Sequence, residues 1–123
     1  MPVLLPSRRF TLAALVVLGL TPAAAEAHAI LLASSPAAGG SVPAGQVVME
    51  FRFNSRIDRL RSRLTLTRPD RSQTMLPISD QGSEELLRTT VALTPGTYTI
   101  HWQVLAVDGH ITRGDVAFTV TGP

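Results

Sequence analysis

The chain has 123 residues, 45% of them hydrophobic, 16% charged and none cysteine, which suffices for one small domain and little more. The absence of cysteine excludes disulfide staples and thiolate metal sites, so the fold must rest on its apolar core. The formal charge of +2 is carried by arginine with no lysine at all, and so small an excess gives no electrostatic reason to expect nucleic acid as a partner.

Residues 1–27 read as an export address. Arg8 and Arg9 form a positive start, and Phe10 to Leu20 is an apolar stretch of signal-peptide length, too short to span a bilayer comfortably. Ala25-Glu26-Ala27 fits the small-x-small pattern for cleavage, so a cut after Ala27 leaves residues 28–123 as a single exported domain beginning His28-Ala29-Ile30. An uncleaved anchor is the alternative, but it lacks a stop-transfer segment. Ser7-Arg8-Arg9 half-resembles a twin-arginine signal, with Thr11 where that motif usually has Phe; both export routes stay open.

The remainder reads as all-β. Short strands are expected at Ala29 to Ala33 and near Met75 to Ile78. Gln46 to Phe53 alternates, with Val47, Met49, Phe51 and Phe53 on one face and Glu50 and Arg52 on the other. Arg63 to Thr67 turns Leu64 and Leu66 inward, and Leu87 to Leu93 alternates less cleanly. Thr97 to Val107 places Tyr98, Ile100, Trp102 and Val104 on one face, and Val116, Phe118 and Val120 close the pattern. Turn signals separate these runs at Pro36 to Gly40, Pro43-Ala44-Gly45, Arg68-Pro69-Asp70, Asp80 to Ser83 and Pro95-Gly96. About seven short strands in one domain point to an antiparallel Greek-key β-sandwich. Seven arginines crowd between Arg52 and Arg71. They read as a solvated strand face and loop, or as a patch for an acidic partner or membrane surface.

Three histidines carry the candidate chemistry: His28, His101 and His110. Cleavage after Ala27 would give His28 a free α-amine, and amine and imidazole Nδ1 can then chelate one ion. That amine titrates near pH 7.7–8.0 in general, so a tightly bound metal can displace its proton at neutral pH. The plain alternative is coincidence, since some residue must follow the cut. In Val107-Asp108-Gly109-His110, Asp108 and His110 lie two apart and point to one side of an extended chain, continuing the parity of Trp102, Val104 and Ala106. Read otherwise, Asp108-Gly109 is merely a turn with His110 exposed beside it. Together the two pieces supply an amine, two imidazoles and a carboxylate. Cu(II) prefers such nitrogen-rich N,O ligation, and zinc accepts the same atoms in a tetrahedron. His101 alternates with Thr99 and Gln103 opposite Trp102 and reads as a surface histidine. Met49 belongs to a core face and Met75 is isolated, so no cluster of thioethers is available for Cu(I).

His28 to Gly39 resembles the mature start of the CopC-type periplasmic copper-resistance proteins. The likeness continues through Val48 to Phe53, Pro95 to Trp102, Val107-Asp108-Gly109-His110 and Gly114. It implies a Greek-key sandwich binding one Cu(II) through His28 (amine and imidazole), Asp108 and His110. The Met-rich Cu(I) loop common in that family is replaced by a region from Arg68 to Ser83 holding only Met75, so the chain is similar to members that bind Cu(II) alone. Ile111 stands where the family commonly has Pro, and Phe53-Asn54-Ser55 lacks an acidic residue usual there. The resemblance implies a periplasmic copper carrier or buffer, no enzyme, with a CopD-like membrane protein as a separate partner chain. Two other classes compete with this reading. A histidine-brace oxidative enzyme would want an open coordination position and a flat aromatic surface, for which one Tyr, one Trp and four Phe are few. A metal-free sandwich module for adhesion or assembly is the other.

Overall fold

The computed structural model describes residues 28–122, so the expected leader at residues 1–27 lies outside the described residues. Eight strands form: β1 Leu31–Ser35, β2 Ser41–Pro43, β3 Gly45–Phe53, β4 Arg63–Thr67, β5 Gln73–Leu76, β6 Leu86–Leu93, β7 Gly96–Leu105 and β8 Ile111–Thr121, with a 3-10 turn at Arg59–Arg61. They make two sheets, ordered β1-β3-β6 and β2-β8-β7-β4-β5. The expected sandwich is therefore present.

Alternation works here because each sheet buries one face and wets the other. Met49, Phe51 and Phe53 of β3 face Leu64 and Leu66 of β4, Ile100, Trp102 and Val104 of β7, and Phe118 and Val120 of β8 in one core. The Phe53 and Trp102 rings meet edge-on at 5.2 Å, joining the sheets across the middle of that core.

Two details differ from the sequence reading. β2 falls where a turn was expected and runs parallel to the end of β8 (Val42 opposite Val120), while the other strand pairs are antiparallel. A three-residue strand ending in proline carries too little pattern to be seen. β7 stops at Leu105 rather than Val107; Ala106 keeps only an isolated bridge to Ile57. The chain then turns, with Gly109 N–H donating to Ala106 O at 2.9 Å and Gly109 at φ +95°. That is the left-handed region that glycine enters without steric cost.

One arginine of the cluster, Arg59, serves the fold at this end. Arg59 donates to Asp80 O at 2.9 Å, Gly82 O at 3.0 Å and also to Ser83 O, pinning the 80–85 loop. That loop accepts Ile57 N–H at Glu84 O (2.9 Å) and Phe53 N–H at Glu85 O (2.9 Å). Segment 54–58 is thereby fixed, and it is the bed on which the 106–110 turn lies.

Candidate metal centre

His28, Asp108 and His110 meet at one end of the sandwich. Two anchors bring the first strand's entry there. Ala29 is buried, and its carbonyl accepts a hydrogen bond from Thr112 Oγ1 at 2.9 Å. Ile30 is clasped on both sides by Asn54: its N–H donates to Asn54 Oδ1 at 2.8 Å, and its carbonyl accepts Asn54 N–H at 3.1 Å. A buried methyl and three hydrogen bonds thus fix the backbone just after His28.

The second half of the site is the turn. Val107 N–H donates to Arg56 O at 3.1 Å and Ala106 N–H to His110 O at 2.9 Å. The expectation that Asp108 and His110 share one side of an extended strand is corrected: they sit in a turn, because Gly109 reverses the chain. The side chains meet nonetheless. Asp108 Oδ1 accepts the His110 backbone N–H at 3.0 Å and lies 3.2 Å from His110 Nδ1. The His110 N–H foremost holds the Asp108 carboxyl below the usual carboxylate range; partial desolvation opposes this, and the His110 ring and then His28 lower it further. Asp108 is therefore a carboxylate at any pH where the site would work. With Oδ1 taken up by His110, Oδ2 makes no hydrogen bond among the described residues, and His110 keeps Nε2 for a ligand.

The His28 and His110 ring centres lie 4.8 Å apart, with planes at 76°. Two imidazoles bound cis to one ion at about 2.0 Å per bond would be centred about 4.5 Å apart. The spacing fits a shared ion. Among the described residues no three His, Asp or Glu side chains are yet gathered closely enough to hold one as they stand. In the uncut chain the His28 nitrogen is an amide; only a cut before it makes a basic amine.

His101 stands apart, on the outer face of the five-stranded sheet as expected, with Nδ1 2.6 Å from Asp115 Oδ1. Asn54 and Thr112 are the supporting residues that sequence reasoning did not assign. Thr112 did carry a signal. It shares the inward parity of Val116, Phe118 and Val120, and a polar residue on a core face must find a partner. We expect Asn54→Ala to weaken metal binding by about tenfold, the size typical of lost outer support, while the melting temperature falls only slightly. Equal affinities for the two proteins by competition titration would show that Asn54 does not hold the site.

The two sheets define the class as a small all-β sandwich domain, with His28, Asp108 and His110 near one another at one end. The chain belongs to the CopC domain family, whose model matches residues 31–121. Asp108 and His110 fall within the match, and His28 lies just ahead of it. Protein YobA of Escherichia coli is 31% identical, over 93% of this chain and 94% of that protein. CopC from Methylosinus trichosporium superposes with a TM-score of 0.71 at 26% identity, covering 77% of this chain and 95% of that one. PcoC, a methionine-rich copper resistance protein from Escherichia coli, shares the fold with a TM-score of 0.64 at 24% identity, covering 77% and 100%.

Proposed function

We propose that the chain is exported to the periplasm, loses residues 1–27, and binds one Cu(II) through the His28 amine and imidazole, Asp108 and His110. It then buffers the ion or carries it to a CopD-like membrane protein encoded as a separate chain. The observation that carries this reading is the convergence of His28 with the Asp108–His110 turn in a chain of the CopC domain family. Copper resistance in the PcoC neighbour agrees with it.

The chemistry of the donors favours Cu(II). Amine and imidazole nitrogens with one carboxylate suit a tetragonal N,O plane, and Cu(II) heads the divalent affinity order. No thiolate exists, and the segment from Arg68 to Ser83 offers one thioether, Met75, too few for a Cu(I) site. The carboxylate would offset part of the ion's charge, and His110 Nε2, clear of Asp108, would be available to it. The donors sit at an exposed chain end, as exchange with a partner requires.

The test is titration of Cu(II) into the chain beginning at His28, followed by electron paramagnetic resonance and gel filtration. One equivalent should be retained with a single tetragonal, nitrogen-rich signal. His101→Ala should leave that signal unchanged. A heterogeneous signal, or copper lost on the column, would count against the assignment.

A further inference from the structure

Seven large apolar side chains are exposed in the described chain, and four of them surround the His28–Asp108–His110 end. Leu60 is 96% exposed, Val107 58%, Ile30 56% and Ile111 49%. Ile30 follows His28 closely, and Val107 and Ile111 bracket the ligand turn. Leu60 belongs to the 3-10 turn, which is tied to the end of β7: Asp58 N–H donates to Leu105 O at 2.9 Å, and Leu105 N–H donates to Ser62 Oγ at 3.1 Å. Leu105 is in turn the register partner of Ile111. An apolar row thus crosses the tip from β8 over β7 to the 3-10 turn.

One row back on the same outer face, Arg113, Gln103 and Arg63 are register partners across β8, β7 and β4. Arg113 spends Nε on Gln103 Oε1 at 2.9 Å, leaving the rest of its guanidinium outward. Arg63 has no acidic partner among the described residues. Arg61, beside Leu60, makes one exposed contact with Asp58 at 3.3 Å. Of the nearby acids, Asp58 also caps the 3-10 turn, Asp115 is held by His101, and Asp108 is held through one oxygen by His110.

Single exposed apolar residues are ordinary on any surface. Here they cluster on one tip with guanidinium groups immediately behind them. That is the arrangement of an interfacial anchor, in which apolar groups enter the headgroup layer and cations meet lipid phosphates. Leu60 decides between a lipid surface and a protein. It protrudes from a convex turn, and a fluid lipid layer accepts a protrusion without a preformed pocket. We propose that this end docks on an anionic phospholipid surface, with Leu60, Val107 and Ile111 at the headgroup layer and Arg61, Arg63 and Arg113 on phosphates. Docking would turn the His28 end toward the membrane. It requires no copper and stands whether or not the ion binds.

Among the described residues the buried core is drawn from Ala29 to Val120, so a chain beginning at His28 keeps that core and leaves out the apolar stretch Phe10 to Leu20, which would bind lipid by itself. We expect that chain, metal-free, to sediment with vesicles containing phosphatidylglycerol, to ignore pure phosphatidylcholine vesicles, and to be released by salt. Arg63→Gln and Arg113→Gln should each lower partitioning about fivefold, and Leu60→Ser about tenfold. Arg71→Gln, in the turn at the opposite end, should leave it unchanged. Failure to sediment with phosphatidylglycerol vesicles would overturn the proposal and point to a protein partner. So would equal losses from Arg71→Gln, or a solution dimer that Leu60→Ser dissolves, which would assign the tip to a second copy. Copper titration of Leu60→Ser, expected to match the parent, keeps this outcome separate from that of the metal site.

Discussion

An acetyl group on the α-amine of a chain beginning at His28 should lower Cu(II) affinity by about two orders of magnitude or more, the largest single effect expected of this chain. Acetylation leaves all three proposed ligand side chains in place. It removes only the α-amine, converting the terminal nitrogen of the chelate into an amide that neither protonates nor readily binds metal near neutral pH. Loss of an outer-shell partner typically costs about 10–100-fold, and loss of a donor together with its chelate ring should exceed that. The pH dependence follows from the same nitrogen. An α-amine ordinarily titrates near pH 7.7–8.0, so each ion bound at neutral pH must displace a proton, and apparent affinity falls as pH is lowered. Asp108 works the other way: held below the usual carboxylate range by the His110 N–H, it stays ionised through that window and adds no slope of its own there. The acetylated protein should therefore lose both affinity and most of the proton release, measured by competition titration in two buffers of different ionisation enthalpy. Equal affinity and equal proton release in the two proteins would remove the amine from the ligand set.

Legibility from sequence tracked how completely one face of each element is buried. β3 and β4 could be bounded to within a residue because their inward positions are uniformly apolar and their neighbours polar. β2 could not: its Ser41–Pro43 backbone pairs with β8, and backbone pairing over three residues leaves no side-chain period. The end of β7 was misread for a related reason. Parity carried Ala106 inward correctly, but continuing that parity to Asp108 ignored Gly109, whose positive φ breaks the strand. Asp108 and His110 meet in the turn nonetheless, because an aspartate two residues before a backbone N–H can accept from it there, as Asp108 does from His110. Partners distant in sequence were the part beyond reach. Asn54 clasps Ile30 across 24 positions and Thr112 holds Ala29 across 83, and nothing local in either segment announces the other.

The second large effect concerns Gly114, which the family likeness includes and the fold explains. A Cβ at this position would stand 2.7 Å from Trp102 Cε2 and 3.0 Å from Nε1, and nearer still to Cζ2. Trp102 cannot yield: it is buried, and its ring already meets Phe53 at 5.2 Å across the sandwich. Overpacking a dense core costs about 1–3 kcal/mol, sometimes more, and a rigid indole pressed between two sheets belongs at the upper end. Gly114→Ala should therefore destabilise the chain by about 3 kcal/mol, a large share of the roughly 5–15 kcal/mol available to a small domain, and lower Tm by more than about 12 °C. The cause can be isolated. Phenylalanine lacks the Cζ2 and Nε1 atoms, and the Trp102 Nε1 it would delete is buried without a hydrogen-bond partner, so Trp102→Phe forfeits packing but no satisfied polar contact. In a double-mutant cycle the second change should recover part of what Gly114→Ala loses, giving a favourable coupling of about 1–2 kcal/mol. Additive losses would mean that the alanine methyl is relieved by movement of β8 instead. Since Thr112 lies two residues along that strand and holds Ala29, such movement would be read independently as weakened Cu(II) binding at His28.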